Sequence, residues 1–124
     1  MYREKRGRLI DGTPISEAIE YIDGMCEPAP VCYMTNCVHP DIVYEALSKD
    51  FNRNETVKKR FLGIQGNTSP LSYAELDGSK DLKCAEPADF AADMIRLKEI
   101  SGIKIFGGCC GTDSRHMEET ARRL

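Results

Sequence analysis

Apolar residues in this chain fall into short runs whose spacing changes from segment to segment. From Pro14 to about Met25 they recur at Ile15, Ala18, Ile19 and Ile22, three or four residues apart, which gathers them on one face of an α-helix. Thr13 stands where an N-cap would, with Pro14 at the first helical position, Glu17 completing a capping-box pattern and Gly24 as the stop. Pro28-Ala29-Pro30 then breaks the chain, and the apolar run Val31 to Met34 predicts a short buried strand. Helical spacing returns from about Pro40 to Lys49, with Ile42, Val43, Ala46 and Leu47 facing inward. Phe51 to Lys59 is polar and contains Asn52-Arg53-Asn54, which predicts a loop. Arg60 to Gln65 predicts the next strand. A third helix runs from about Pro87 to Ile100, with Phe90, Ala91, Met94, Ile95 and Leu97 on or near one face. Gly102 ends it, Ile103 to Phe106 predicts a strand, and a last helix spans about Ser114 to Leu124.

Helices alternating with apolar strands indicate parallel βαβ units covered by helices. The expected class is therefore α/β, as part of a barrel or as a small open sheet. The stretch from Gly66 to Ala85 has turn signals at Gly66-Asn67, Ser69-Pro70 and Asp77-Gly78 and no period. Loops of that length are usually functional or disordered, and on a barrel this one would lie on the face where active sites are built.

With 124 residues the chain fits one domain. Apolar residues make up 41% and charged residues 30%, which suits a soluble globular chain. No apolar run approaches the ~20 residues of a membrane span, and Met1-Tyr2-Arg3-Glu4-Lys5-Arg6 lacks the apolar core of a signal peptide. The formal net charge is −3, and positive residues cluster only at Arg3, Lys5, Arg6 and Arg8, a solvated tail or turn rather than a nucleic-acid surface. The expectation is a cytoplasmic chain without a nucleic-acid or membrane partner. In that reducing setting the six cysteines read as metal ligands or catalytic groups rather than a disulfide framework.

Three cysteines stand apart. In Lys104-Ile105-Phe106-Gly107-Gly108-Cys109-Cys110-Gly111-Thr112-Asp113 an apolar run delivers two thiols into a glycine-hinged turn before a helix. Neighbouring side chains on a strand point to opposite faces, so both reach one ion only if the backbone turns, which Gly107, Gly108 and Gly111 permit. Cys37 has the same setting, after an apolar run and before the helix begun by Pro40. The helix N-termini favour the thiolate form. Three thiolates at about 2.3 Å leave a tetrahedral Zn2+ one open position, which separates a catalytic zinc from a structural one. Cys26 and Cys84 have no partner at ligand spacing, and Cys32, inside the apolar run, reads as a small core residue. Asn36 is either a hydrogen-bond donor to the neighbouring sulfur or a turn residue. His39 and His116 are unnecessary as ligands beside three thiols, and His116 reads as structural. Two other readings remain. Gly107-Gly108 and Gly111-Thr112 before a helix are a phosphate-binding pattern, which leaves the paired cysteines unexplained and lacks a P-loop lysine. The thiols also fit a non-catalytic zinc-binding or interaction module.

The segments Thr35-Asn36-Cys37-Val38-His39-Pro40 and Gly107-Gly108-Cys109-Cys110-Gly111-Thr112 resemble the two zinc-ligand signatures of the homocysteine S-methyltransferase family, and Phe90 to Ala121 is similar to the family's last repeats. The likeness covers the chain from about Gly7 onward. It implies a TIM (β/α)8 barrel of which this chain is the C-terminal half, because a complete barrel takes roughly 250 residues and the matched motifs belong to the family's later half. Residues 1–124 are then one partial domain, a fragment or a free-standing half-barrel. Its open strand edges would make a homo-oligomer, or pairing with a missing N-terminal half, the expected state. The activity implied is zinc-dependent transfer of a methyl group from a small-molecule donor to the thiol of homocysteine, giving methionine, with Zn2+ on Cys37, Cys109 and Cys110. A free thiol, with pKa ~8.5, is largely protonated at neutral pH. As fourth ligand to zinc it loses that proton and stays nucleophilic, so no general base is required. The resemblance makes Asn36 and Asn67 the candidates for substrate contact. Asn67 corresponds to an asparagine in a family loop, but the family's Tyr-Pro-Asn-Ala-Gly is here Ile64-Gln65-Gly66-Asn67-Thr68. Betaine, S-methylmethionine, S-adenosylmethionine and a folate serve as donors among relatives, and the sequence does not choose between them.

Overall fold

Three short strands, β1 (Tyr33–Val38), β2 (Phe61–Gly66) and β3 (Ile105–Gly108), pair in parallel with β2 in the centre. The computed structural model describes residues 7–68 and 86–124. Parallel strands need a crossover between them, and helices supply it. Helix α1 (Ile15–Met25) precedes β1, and α2 (Pro40–Leu47) and α3 (Glu55–Arg60) lie between β1 and β2. Helix α4 (Pro87–Ile100) precedes β3, and α5 (Ser114–Arg123) follows it. The class is α/β.

The register decides which residues share a face. Thr35, Ile64 and Phe106 align on one side, together with Gly66, where a side chain would meet Phe90 and Pro40. The helices close over this side through Val43, Ala46, Leu47, Val57, Phe90, Met94 and Leu97, none more than 2% exposed. Truncating a fully buried side chain such as Phe90 to alanine costs about 3–5 kcal/mol. On the opposite side Met34 aligns with Gly63 and Ile105, and Asn36 with Gln65 and Gly107. Met34 and Ile105 there are each 44% exposed. Parallel sheets are ordinarily covered on both faces. Among the described residues this one is covered on one.

Several local expectations are corrected by bonds that come from far along the chain. Pro14, not Thr13, is the N-cap of α1, and no local side chain caps it. The Ile15 N–H donates instead to Asn52 Oδ1 at 3.1 Å. Asn52 is buried and also donates to the Gly7 and Ala46 carbonyls, at 2.8 and 3.0 Å. In place of the predicted loop Phe51 to Lys59 stand a 3-10 turn, Asp50–Asn52, and helix α3, Glu55–Arg60, whose N-cap Asn54 accepts from the Val57 N–H at 3.0 Å. So short a helix is held by packing of its one apolar anchor, Val57, rather than by propensity. Helix α1 continues through Gly24 to Met25.

The run predicted as the first strand is also displaced. Val31 is 93% exposed, and Cys32 lies before β1 and is only half-buried, so neither belongs to the core. Their stretch is held by its main chain, because Arg60 donates to the carbonyls of Pro30 and Val31. The same guanidinium grips Asp23 at 2.9 Å, and the Tyr33 hydroxyl donates to that carboxylate at 2.7 Å. Strand β3 begins two residues later than predicted, with Ile103 buried before it. Of the long stretch from Gly66 to Ala85, Gly66 ends β2 and Asn67 and Thr68 are buried. Residues 69–85, with Cys84, lie outside the described residues, as do Arg3, Lys5 and Arg6. No helix among the described residues is long and apolar enough to cross a membrane.

Candidate metal centre

Asn36 pairs with Gln65 and Val38 with Gly66, so Cys37 between them is the extra residue of a β-bulge. Its φ is +55°, a left-handed conformation that costs an L-residue roughly 1–2 kcal/mol. Although β1 and β3 are separated by β2, Cys37 Sγ lies 3.0 Å from Cys109 Sγ. Asn36 Nδ2 donates to Cys37 Sγ at 3.6 Å.

Cys109 follows β3 directly. Its N–H donates to the Gly66 carbonyl at 2.8 Å, and its own carbonyl accepts from Thr112 N–H at 3.2 Å and Thr112 Oγ1 at 2.7 Å. These bonds close a tight turn in which Gly111 sits at φ +82°. Gly108 has to lack a side chain, since a Cβ there would come within 2.8 Å of Thr112 Cβ. In the same turn the Cys110 N–H donates to Asn67 Oδ1 at 3.1 Å, and the Cys110 carbonyl accepts from Thr68 N–H at 3.2 Å. Helix α5 then starts on a capping box: Asp113 accepts from the Arg115 N–H at 2.8 Å, and His116 Nδ1 accepts from the Asp113 N–H at 3.1 Å.

The charge on each thiol bears on the ionisation of the others. Burial works against ionisation of Cys109, but the Cys37 S–H and nearby backbone N–H groups outweigh it and bring its pKa below that of an ordinary thiol. Cys37 is pushed up to about 11, first by holding its proton against Cys109, then by burial and the neighbouring negative charge. Cys110 is raised by the charge on Cys109 and then by burial. The shifts favour the thiolate at Cys109 and the thiol at the other two, a balance that a cation among them would change. Soft sulfur donors suit zinc, for which tetrahedral bonds of about 2.3 Å set sulfurs ~3.8 Å apart. From 3.0 Å, Cys37 and Cys109 need only separate slightly to accept it.

The other candidate residues have different surroundings. His39 is buried and caps α2, its Nδ1 accepting from the Asp41 N–H at 3.0 Å. Its ring also faces Asp41 and Asp93, each at 3.8 Å, and the three form a group with donor atoms within 4.8 Å of one another. Asp41 is already paired with Arg96 at 3.4 Å, and burial pushes Asp93 toward its neutral form and His39 toward the uncharged ring. A helix cap with its ion pair accounts for these residues. His116 is 2% exposed and packs edge-on against Phe90, in keeping with a structural role. Cys26 caps the C-terminus of α1 in solvent, and Cys32 lies at the far end of β1 from Cys37. Gly107 and Gly108 are ladder residues of β3 and the Asp113 carboxylate already occupies the start of α5, so the phosphate pattern offers no open nest of N–H groups.

Over residues 1–124, its whole length, the chain matches the family model of homocysteine S-methyltransferase. The chain belongs to this family. No curated protein and no solved structure matches it. In this homocysteine S-methyltransferase family member Cys37 and Cys109 are brought together and Cys110 lies in the same turn; the sequence offered all three as candidate ligands. It did not show the left-handed backbone at Cys37, the Thr112 closure or the bond from Asn67 to Cys110. The nearest signal for the closure was the Gly-x-x-x-Thr spacing of Gly108 and Thr112, an offset that carries no meaning until the turn is drawn.

Proposed function

We propose that this chain carries the zinc-binding end of an enzyme that transfers a methyl group to the thiol of homocysteine, giving methionine. The carrying observation is the approach of Cys37 to Cys109 at 3.0 Å, with Cys110 in the same turn, at the C-terminal ends of parallel strands. That end is where barrel enzymes build their active sites. In this reading β1, β2 and β3 are consecutive strands of a (β/α)8 barrel, three of the eight. The open face bearing Met34, Asn36, Gly63, Gln65, Ile105 and Gly107 is the one turned to the barrel axis.

Cys37, Cys109 and Cys110 would hold the ion, which supplies Lewis acidity that favours the thiolate form of a substrate thiol. The chain's own residues do the rest. The left-handed turn at Cys37 and the Cys109–Thr112 closure fix two sulfurs before any ion arrives, so little rearrangement is needed on binding. Asn36, whose exposed Nδ2 lies beside Cys37 Sγ, would meet an incoming polar group. The methyl donor and the groups that grip the amino acid would come from other loops of such a barrel. Proximity supplies ~7–11 kcal/mol of a two-substrate barrier, so this chain alone is expected to show little turnover.

Elemental analysis of the wild type and of Cys37→Ala, Cys109→Ala and Cys110→Ala tests the metal. About one zinc per chain, lost or sharply weakened in each variant, is expected. Equal zinc in all four proteins refutes the assignment. Methionine formation from homocysteine, assayed with each donor class with and without a complementary N-terminal half, tests the reaction. A failure of that half to restore turnover in a zinc-loaded chain favours the non-catalytic zinc module.

A further inference from the structure

We infer that Asn67 is a positioning residue for the thiol centre, fixing Cys110 through its carboxamide oxygen; the inference rests on the zinc reading of that centre. Cys37 and Cys109 are placed by the bulge in β1 and by the backbone bond from Cys109 to Gly66. Cys110 has neither. It follows β3 in the turn and is exposed, and its main chain is held by the two residues after β2. Asn67 Oδ1 accepts its N–H at 3.1 Å, and Thr68 N–H donates to its carbonyl at 3.2 Å. Asn67 is itself anchored on the other side, because its own N–H donates to the Val38 carbonyl at 2.8 Å. One residue thus links the backbone beside Cys37 to the backbone of Cys110.

The burial of Asn67 gives this link its stiffness. At 2% exposure the side chain is confined by packing, so Oδ1 is a fixed point. The Cys110 peptide, bracketed by bonds on both its N–H and its carbonyl, has little freedom to swing its Cα–Cβ bond out of the turn. Without Oδ1 the Cys110 N–H loses the acceptor of a part-buried bond, so the loss falls on the geometry of the turn as well as on stability. Partners that orient metal ligands in this way typically change metal affinity by about 10–100-fold when removed.

The test compares the full-length wild type with Asn67→Ala and Asn67→Asp. The aspartate keeps an oxygen in place of Oδ1 and deletes the Nδ2 donor. Cobalt(II) serves as the metal probe, because its sulfur-to-metal charge-transfer band grows with the number of bound thiolates. The wild type is expected to give the band of a three-thiolate site, and Asn67→Asp serves the amide-exchange comparison, where charge on the metal site does not enter. Asn67→Ala is expected to give about two-thirds of it at saturation, or to bind cobalt(II) 10–100-fold more weakly. Amide hydrogen exchange on the metal-free proteins provides a second readout: the Cys110 N–H should be protected in the wild type and Asn67→Asp and exchange fast in Asn67→Ala. An alanine variant with unchanged band and affinity overturns the inference. So does an aspartate variant whose Cys110 N–H exchanges as fast as in the alanine one, since an oxygen at that position then does not hold the amide. A wild type that shows no thiolate band overturns the zinc reading and this inference together, and the amide exchange then still reports whether the tether exists.

Discussion

The left-handed backbone at Cys37 predicts an inversion in the usual order of glycine and alanine. An L-residue at φ +55° bears about 1–2 kcal/mol of strain that glycine does not. Against this, glycine gives the unfolded chain more freedom, worth about 0.4–1 kcal/mol. The difference leaves Cys37→Gly more stable than Cys37→Ala by about 0.8 kcal/mol, with parity as the lower bound. At an ordinary strand position the order is reversed, with glycine worse than alanine by roughly 0.5–1 kcal/mol. Urea unfolding of the two metal-free variants measures the comparison, provided their m-values agree. Alanine ahead by ~0.5 kcal/mol or more refutes a left-handed Cys37, and the approach to Cys109 then loses its cause. Zinc supplies an internal control. A ligand at 100 times its Kd stabilises the native state by about 2.7 kcal/mol, a gain that the wild type should show and both variants should largely lose.

Two further substitutions probe the frame around the centre. Gly108→Ala drives a methyl into Thr112, so it should cost about 1–3 kcal/mol as an overpacked site and reduce zinc content by displacing the 109–112 turn; an unfolding midpoint and metal content equal to wild type would show that the turn does not depend on this glycine. Asp23 is held below its ordinary pKa by the Arg60 guanidinium and then the Tyr33 hydroxyl, so its contribution to stability is present above the unfolded value of ~3.9 and is lost as pH falls through the lower folded value. Asp23→Asn should therefore lower stability at neutral pH and flatten its decline below about pH 4, and an acid limb identical to wild type would remove Asp23 from the account.

What the sequence revealed and what it hid divide along the range of the interactions involved. Helix α4 was legible because its apolar period is carried by its own residues and Pro87 opens it. The membership in the homocysteine S-methyltransferase family was legible from two six-residue motifs, and the family match extends over the whole chain. Helix α3 was not legible, since Glu55–Arg60 offers one apolar residue and takes its stability from the burial of Val57. The start of α1 was misplaced because its cap is Asn52, 37 residues on. Cys32 looked like core because its neighbours are apolar, but Arg60 pins that stretch by its carbonyls and turns Val31 to solvent. The candidate thiols were legible as residue types before helices. Their separation was not, because it depends on a bulge and a turn that local propensity does not encode.

The bulge and the turn answer a single geometric problem. Cys37 lies in β1 and Cys109 just beyond β3, and β2 runs between them. Two inter-strand spacings separate such backbones by ~9.6 Å, whereas their sulfurs lie 3.0 Å apart. Regular strands cannot close that gap, since side chains on a ladder stand perpendicular to the sheet and run parallel to one another. Each outer strand must therefore lean its thiol across the middle one. Strand β1 does so by giving Cys37 an unpaired position and a left-handed backbone, and β3 by ending in glycines and folding over on Thr112. The middle strand contributes by ending at Gly66, whose carbonyl takes the Cys109 N–H while the following Asn67 and Thr68 hold Cys110. The convergence is thus built by the backbone of the strand ends, and the S–H···S bond between Cys37 and Cys109 adds to it while one of the two keeps its proton. Removing one thiol should leave the other two in place, and for that reason single cysteine substitutions can report on ligation without dismantling the strand ends.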